Sequence, residues 1–126
     1  MAKYKNKHCV VNGIAFDSYA EGRRYAYLTM LQKSGRISNL RTQVQYELIP
    51  AQRAKSTDVY KRGPRKGEPK PGYIIENAVK YIADFVYVQD GKTVVEDVKG
   101  KRTKDYIIKR KLMLYVHNIK IREVSA

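Results

Sequence analysis

The chain of 126 residues contains one cysteine, two histidines and no tryptophan. Its single cysteine, Cys9, excludes an intrachain disulfide and is typical of a protein from a reducing compartment. His8 and His117 lack the spacing of metal ligands, and together with one cysteine they cannot build a zinc site. The same scarcity of histidine leaves no credible base for a nucleophilic hydrolase. Zinc-dependent nucleases, including the HNH kind, and hydrolases built on a serine or cysteine nucleophile are therefore not expected.

Long apolar runs are absent as well. No stretch approaches the roughly 18 consecutive apolar residues of a membrane span. Residues 1–7 are basic and lack the apolar segment of a secretory signal. We therefore expect a soluble, cytoplasmic protein with no membrane partner. A length of 126 residues fits a single domain that folds without disulfides or a structural metal.

Acidic residues are few in relation to basic ones. Lysine and arginine total 26, aspartate and glutamate total 12, and the net charge is +14. This is far more positive charge than solubility requires, and it indicates a polyanionic partner, usually nucleic acid. A domain that is merely basic and a protein that binds acidic membranes are the alternatives that the charge leaves open.

Turn and capping signals divide the chain into strands and helices. Asn12-Gly13 between short apolar runs predicts a tight hairpin, and Ser18 and Thr103 are candidate N-caps of two helices. The predicted elements are a hairpin at 10–16, a helix at 19–33 ended by Gly35, a connector at 37–40, a strand at 44–49, a hairpin of strands 78–88 and 93–98, a helix at 104–117 and a strand at 119–124. This order predicts an α/β fold in which helices flank one central mixed sheet.

Two further features concern the helices and the long segment between the strands. Helical spacing predicts buried faces made, in the first helix, by Ala20, Tyr25, Tyr27, Leu28 and Leu31 and, in the second, by Ile107, Ile108, Leu112, Leu114 and Tyr115. Residues 53–72 are rich in proline, glycine and basic residues and have almost no apolar content. They predict a flexible basic loop or hairpin tip within the domain.

Three charged residues stand at the end of an otherwise apolar strand, in the segment Glu96-Asp97-Val98-Lys99. Residues two apart on a strand point to the same face, so Asp97 and Lys99 share a face and Glu96 points to the other. Asp84 lies in the partner strand and can approach Asp97 across the hairpin. Such a triplet is often only a surface ion pair. The apolar strand, the upstream aspartate and the basic chain favour a site instead.

A divalent cation would compensate these carboxylates, which are costly in a largely apolar sheet. Asp84, Asp97 and the main-chain carbonyl of Val98 are hard oxygen ligands suited to Mg²⁺, which Mn²⁺ is expected to replace. A Mg²⁺ that contacts a phosphate and a water polarises the phosphorus and lowers the pKa of the water. Lys99 beside it would steady the developing negative charge or orient the attacking water. The constellation therefore indicates hydrolysis of a phosphodiester.

Glu21 is the third candidate acid. The segment from Ser18 to Glu21 fits the capping-box pattern, in which the glutamate caps its own helix. The spacing alone favours the cap over a metal ligand, although one residue can play both roles.

Asp84, then Asp97-Val98-Lys99, then a basic helix resembles the PD-(D/E)XK nuclease superfamily, with Ala83 where a proline often precedes the first aspartate. With Glu21 from an N-terminal helix, the order of acids is similar to that of Holliday-junction resolvases and related phage-encoded endonucleases. Residues 16–25 and 96–100 carry the resemblance in most detail. It covers about residues 14–124, with 53–72 as the exception.

The resemblance implies a restriction-endonuclease-like core in the order α-β-β-β-α-β. It implies a Mg²⁺-dependent endodeoxyribonuclease in which Glu21, Asp84 and Asp97 bind the metal and Lys99 assists catalysis. It also implies a homodimer that binds branched DNA. Gln43 falls where related nucleases sometimes carry a polar active-site residue, but an ordinary glutamine at the start of a strand is the favoured interpretation.

Two clusters of cations flank the proposed site and are candidates for contact with DNA phosphates. The first consists of Lys99, Lys101, Arg102, Lys104, Lys109, Arg110 and Lys111. The second, on the long segment, consists of Arg53, Lys55, Lys61, Arg62, Arg65, Lys66 and Lys70. A solvated surface is the alternative for both. Because no recognition-helix or zinc-finger pattern is present, phosphate contacts favour recognition of DNA by shape.

Two alternatives stay open at this point. The first is a non-catalytic, basic nucleic-acid-binding protein that uses the same positive surface. The second keeps the fold and the chemistry but acts on ordinary duplex, flaps or ends instead of a branched junction. The number of metal ions and the oligomeric state are also left open by the residues.

Overall fold

The computed structural model describes residues 8–126. The basic segment 1–7, in which the sequence shows no secretory signal, lies outside the described residues. Contacts divide the chain into two compact units, one formed by residues up to 46 together with 81–126 and the other by residues 47–80. The sequence predicts one domain. In the structure, residues 47–80 form a compact unit of their own.

The elements follow the predicted order closely. They are β1 (Cys9–Val11), β2 (Ile14–Phe16), α1 (Tyr19–Lys33), β3 (Ser38–Ile49), β4 (Gln52–Arg53), β5 (Ile74–Glu76), β6 (Val79–Gln89), β7 (Lys92–Lys99), α2 (Lys104–His117) and β8 (Arg122–Ser125). Both helices and both hairpins lie where the turn and capping signals place them. Ser18 and Thr103 accept hydrogen bonds from main-chain N–H groups in the first turns of α1 and α2, which confirms them as N-caps.

The first hairpin and α1 form one packed piece. Asn12 and Gly13 have φ of 50° and 79°, as the tight turn between β1 and β2 requires. The hairpin lies against α1 at Gly22, where a Cβ atom would overlap the sulfur of Cys9. Gly22 therefore permits a close approach that no other residue allows without movement of the hairpin.

The central sheet has four strands in the order β3-β6-β7-β8. β6 and β7 are antiparallel, with Phe85 opposite Glu96, and β7 and β8 are parallel, with Asp97 beside Glu123. The sheet is therefore mixed, as predicted. β7 is an inner strand with partners on both sides, which holds its charged end in a fixed position.

Two predicted boundaries are wrong. β3 begins at Ser38, so residues 38–40 belong to the strand and are not a connector. The last strand begins at Arg122 and not at 119, because α2 ends at Asn118 in the left-handed conformation, with φ of 55°, and the chain needs residues 119–121 to return to the sheet. Asparagine tolerates this conformation better than most residues do.

The first helix buries the face that the spacing predicts, with one exception. Leu28 is fully buried in a cluster with Phe16 and Phe85, and Tyr25 and Leu31 pack against that cluster. Tyr27, in contrast, is exposed. This cluster lies on the side of the sheet that also carries Glu96, because Phe85 and Glu96 face each other across β6 and β7.

The predicted buried face of the second helix is wrong for three of its five residues, whereas Ile107 and Leu112 are partly buried as predicted. The buried residues of α2 are Tyr106 and Met113, whereas Ile108, Leu114 and Tyr115 are exposed, Tyr115 by 87%. Apolar residues occur nearly all round this helix, so the period alone could not select a face. The sheet is contacted by the face on which Tyr106 and Met113 lie two turns apart.

Residues 47–80, taken by themselves, form a long hairpin. β4 and β5 pair with Gln52 opposite Glu76, and a further bridge joins Val59 to Pro69. The main-chain N–H of Tyr60 donates to the carbonyl of Glu68 at 3.0 Å, close to the tip. The segment 53–72 is therefore paired along much of its length, and its predicted flexibility stays a prediction.

Within residues 8–126, no helix is both long enough and apolar enough to cross a membrane.

Candidate active site

Asp97 and Lys99 lie on one face of β7, at its C-terminal end. The Nζ atom of Lys99 is 3.2 Å from Oδ1 of Asp97, and the phenol of Tyr81 donates a hydrogen bond of 2.5 Å to Oδ2. Asp97 is only 3% exposed. A buried carboxylate needs such compensation, and here one partner is a cation and the other a neutral donor.

Asp84 approaches the same place from β6. It immediately precedes Phe85, which pairs with Glu96, and its Oδ2 accepts a hydrogen bond of 2.8 Å from the main-chain N–H of Val98. Burial and the negative charge of Asp97 together raise the pKa of Asp84 to about 7, against the lowering effect of the Val98 N–H. Asp84 and Asp97 are thus close enough to repel each other strongly.

Glu21 completes the group from the first turn of α1. Its main-chain N–H donates to Oγ of Ser18 at 3.2 Å, which is one half of the predicted capping box. Among residues 8–126, no hydrogen bond or ion pair is made by the Glu21 carboxylate, so the reciprocal half is not formed. Burial raises the pKa of Glu21, the charges of Asp17 and Asp97 raise it further, and Lys99 lowers it. The carboxylate therefore lies within electrostatic range of Asp97 and Lys99.

The amine of Lys99 is held from two sides. Besides Asp97, it lies 4.2 Å from the ring centre of Tyr106 on α2, a distance at which a cation is attracted to the ring face. A cavity of about 480 Å³ opens beside it and is lined by Ser18, Glu21, Val98, Lys99, Gly100, Lys101 and Ala126. The amine and the Glu21 side chain therefore border space that a ligand can enter.

The donor set fits a hard divalent cation by its chemistry. It consists of three carboxylates and the Val98 carbonyl, which are oxygen ligands of the kind that Mg²⁺ prefers. The mutual repulsion that raises the pKa of Asp84 is also what a bound cation would relieve. In residues 8–126, however, no three His, Cys, Asp or Glu side chains are already arranged around a common point. Ligation by Glu21, Asp84 and Asp97 together stays a prediction.

The cations of the first cluster differ in their surroundings. Arg102 and Arg110 both bind Glu123, at 2.8 and 3.2 Å, and Tyr106 donates to the same carboxylate at 2.7 Å. These partners lower the pKa of Glu123 to about 2. Because both arginines already share the carboxylate of Glu123, they are poorer candidates for DNA contact than the sequence suggests. Of the other members of the cluster, Lys99 and Lys109 are partly buried, and Lys101, Lys104 and Lys111 are exposed.

In residues 47–80, the basic residues gather at the hairpin tip. Arg65 pairs with Glu68 at 2.8 Å and covers the ring of Tyr60, with its guanidinium carbon 4.7 Å from the ring centre. Arg62 and Lys66 are exposed next to it. The tip is thus built on an internal contact, with further cations left to solvent.

Gln43 is the one candidate that the structure does not link to the carboxylates. It is exposed within β3, and its φ of 51° is unusual for a strand. It does not stand at the start of a strand, as the favoured interpretation had it, because β3 begins five residues earlier. Nothing in residues 8–126 connects its side chain to Asp84 or Asp97.

Sequence reasoning missed the tyrosines of this site. Neither Tyr81 nor Tyr106 was among the candidate site residues, and both are buried. Burial and the hydrogen bond to Asp97 raise the pKa of Tyr81, which keeps its hydroxyl protonated as a donor. Spacing gave no signal for Tyr81, because residues three apart on a strand are expected on opposite faces.

Fold and site together define a small α/β protein with a carboxylate and lysine cluster at one end of its central sheet. A family model described as "Protein of unknown function (DUF1064)" matches residues 1–125, and the chain belongs to that family. No curated protein and no solved structure matches the chain.

Proposed function

We propose that this protein is a metal-dependent endodeoxyribonuclease with a restriction-endonuclease-like core. The observation that carries the proposal is the buried Asp97 beside the amine of Lys99, with Asp84 held by the Val98 N–H next to it and Glu21 bordering the same cavity as Lys99. Like charges at one place in a half-buried site are costly, and a basic protein would have no structural reason to assemble them. The order α1-β3-β6-β7-α2-β8, which is helix, three strands, helix, strand, is consistent with the PD-(D/E)XK resemblance.

In this proposal, Glu21, Asp84, Asp97 and the main-chain carbonyl of Val98 hold Mg²⁺, which Mn²⁺ can replace. Such a cation supplies a water of lowered pKa and neutralises charge on the phosphate. In the reaction, a water loses a proton as its oxygen forms a bond to phosphorus, one P–O ester bond breaks, and the leaving oxygen receives a proton.

The protein's own groups position and compensate. Tyr81 holds one oxygen of Asp97 and so orients that carboxylate. Lys99, steadied by the ring of Tyr106, places a positive charge where negative charge develops on the phosphate oxygens. The Val98 N–H keeps Asp84 turned towards β7.

The substrate in this proposal is DNA, with branched DNA such as a Holliday junction favoured by the resemblance to phage-encoded resolvases. The net charge of +14 supports binding to a polyanion. Exposed cations near the site, Lys101, Lys104 and Lys111, and at the hairpin tip, Arg62 and Lys66, are the proposed phosphate contacts. A homodimer would present two sites to the two strands of such a junction.

The test is incubation of the purified protein with a four-way junction, a flap and a linear duplex, each with Mg²⁺ or EDTA. Asp97→Asn is run beside Asp90→Asn, a matched control in which the same change is made in the turn at the other end of the same hairpin. We expect cleavage that needs Mg²⁺, is lost in Asp97→Asn and is retained in Asp90→Asn. DNA binding should persist in both variants.

The outcomes separate the alternatives. Paired symmetric nicks across the junction support a resolvase, whereas cleavage of linear duplex alone removes the junction from the proposal. Binding without cleavage under any cation, unchanged or tightened in Asp97→Asn, would identify a non-catalytic nucleic-acid-binding protein and reject the nuclease.

A further inference from the structure

A second buried carboxylate lies next to the site, on the opposite face of β7. Glu96 is completely buried, and its oxygens accept hydrogen bonds of 2.9 and 2.7 Å from Nε and Nη2 of Arg24 on α1. The phenol of Tyr87 on β6 donates to the same carboxylate. Arg122 of β8 in turn donates to the Tyr87 oxygen at 3.1 Å. The network joins α1 to three strands of the sheet.

Stability alone is a weak reason for this network. Removing a carboxylate and a guanidinium from water is costly, and apolar residues of similar volume usually stabilise a core as well as a buried ion pair does. Phe85 lies opposite Glu96, and Val94 and Val98, on the same face of β7, pack against the cluster that contains Phe85, so the surroundings would accept an apolar side chain. What an ion pair adds is direction, because the planar guanidinium meets the carboxylate in one orientation through two parallel hydrogen bonds.

The position of the pair relates it to the proposed ligands. Arg24 lies one helical turn after Glu21 on α1, and Glu96 immediately precedes Asp97 on β7. Residues three apart on a helix lie on the same side, so fixing Arg24 also fixes the direction in which Glu21 projects. The pair thus connects the two elements that supply Glu21 and Asp97.

We infer that the Arg24–Glu96 pair is a positioning device that sets Glu21 against Asp97 for binding of a divalent cation. The inference rests on the proposed function. Neither residue touches the cation or the DNA; both act through the placement of α1 on β7. Partners of this kind, one step removed from the ligands, change metal affinity or activity by roughly 10- to 100-fold when altered.

The test replaces both partners at once, by Arg24→Met with Glu96→Leu, so that no lone charge is left in the core. Two readouts are measured on the full chain: the rise in melting temperature caused by Ca²⁺ or Mn²⁺, and the Mg²⁺ concentration that gives half-maximal cleavage. We expect a folded protein in EDTA, a smaller melting-temperature rise, and a half-saturating Mg²⁺ concentration increased roughly tenfold or more. Ile37→Ala is the control, since it creates a core defect outside α1 and β7 and should leave the cation-induced rise unchanged.

Glu21→Gln, made in both backgrounds, makes the test specific. In the unaltered protein it should weaken cation binding, whereas in the double variant it should add little, because Glu21 is already misplaced. Arg24→Lys keeps the charge but loses the two-bond geometry. Its cation affinity should lie between those of the unaltered protein and the double variant. It replaces the double variant in the test if that variant does not fold.

The possible results are distinguishable. If the unaltered protein binds cations and cleaves DNA, and the double variant or Arg24→Lys does both equally well, the positioning role is overturned while the nuclease stands. Equal losses from Glu21→Gln in both backgrounds would overturn it too. If the unaltered protein shows neither cation binding nor cleavage, the proposed function fails and the positioning role fails with it.

Discussion

Glu96 and Asp97 are adjacent in the chain and both are buried, yet they lie in very different surroundings. Glu96 faces α1 and has its charge matched by the two-bond contact with Arg24. Asp97 faces the other way, towards Lys99, Tyr81 and the repelling charge of Asp84. A satisfied carboxylate of the first kind holds elements together. A carboxylate that another carboxylate repels, as Asp84 repels Asp97, is stabilised when a cation binds beside it.

The largest expected effects come from conservative amide changes at the two positions. Glu96→Gln should lower the free energy of unfolding by about 3 kcal/mol, because it leaves Arg24 without its counter-charge in the core. Asp97→Asn should change that free energy by less than about 1 kcal/mol, because the lost ion pair is offset by relief of repulsion. The same variant should lower cleavage roughly 100-fold or more. Urea unfolding in EDTA measures the stability of each variant, and cleavage rates in Mg²⁺ measure its activity. Equal losses of stability in both variants would contradict the different roles given to Glu96 and Asp97.

The next effect is a dependence of stability on pH in the metal-free protein. The pKa of Asp84 is about 7 in the folded protein and 3.8 for the unperturbed group, so folding favours the protonated form. The stability it contributes is present at low pH and is lost as the pH rises through 7. Between pH 5 and pH 8 in EDTA, the free energy of unfolding should fall by about 2–3 kcal/mol.

Asp84→Asn is the matched variant for this measurement. It removes the titration, so its urea midpoint should vary less over the same range and exceed that of the unaltered protein at pH 8. Glu123 does not contribute to this pH dependence. Its pKa is lowered to about 2, so its effect on stability falls below pH 5. A midpoint that rises with pH in the unaltered protein would show that Asp84 is ionised at lower pH than proposed.

The smallest effects should come from the two tyrosines that each serve one of the carboxylates. Tyr87→Phe removes the donor to Glu96 and should cost about 1.5 kcal/mol of stability, the lower end for a hydrogen bond to a charged group. Tyr81→Phe removes the donor to Asp97 and should lower cleavage about tenfold, with a smaller loss of stability. Thermal unfolding and single-turnover cleavage are measured for both tyrosine variants. If Tyr81→Phe lost mainly stability and Tyr87→Phe mainly cleavage, the roles assigned to the two sides of β7 would be reversed.

Local signals explain how much of the fold the sequence could predict. Asn12-Gly13, Ser18 and Thr103 act through the backbone of their own neighbours, and the elements that they delimit lie where expected. The start of β8 was misjudged because Asn118 ends α2 in the left-handed conformation and the chain needs residues 119–121 to return to the sheet. The buried face of α2 was misjudged because its apolar residues have no single side.

Charge partners distant in sequence explain what was missed at the site. Glu123 pairs with both Arg102 and Arg110 and lies 21 and 13 residues away in sequence, so the sequence gave no sign that these arginines differ from the lysines around them. Arg24 meets Glu96 across 72 residues, and no periodicity connects them. Asp97 and Lys99, in contrast, share a face by the simple alternation of a strand, and their pairing at 3.2 Å was predictable.

The contact at Gly22 has a consequence for engineering the protein. The bare backbone at this position lets the Cys9 sulfur rest on α1 directly beside Glu21. Side chains of increasing volume at this position, from alanine to valine, would displace the first hairpin from α1 by increasing amounts. Such a series offers a way to tilt the end of the helix in small steps without altering any charged group.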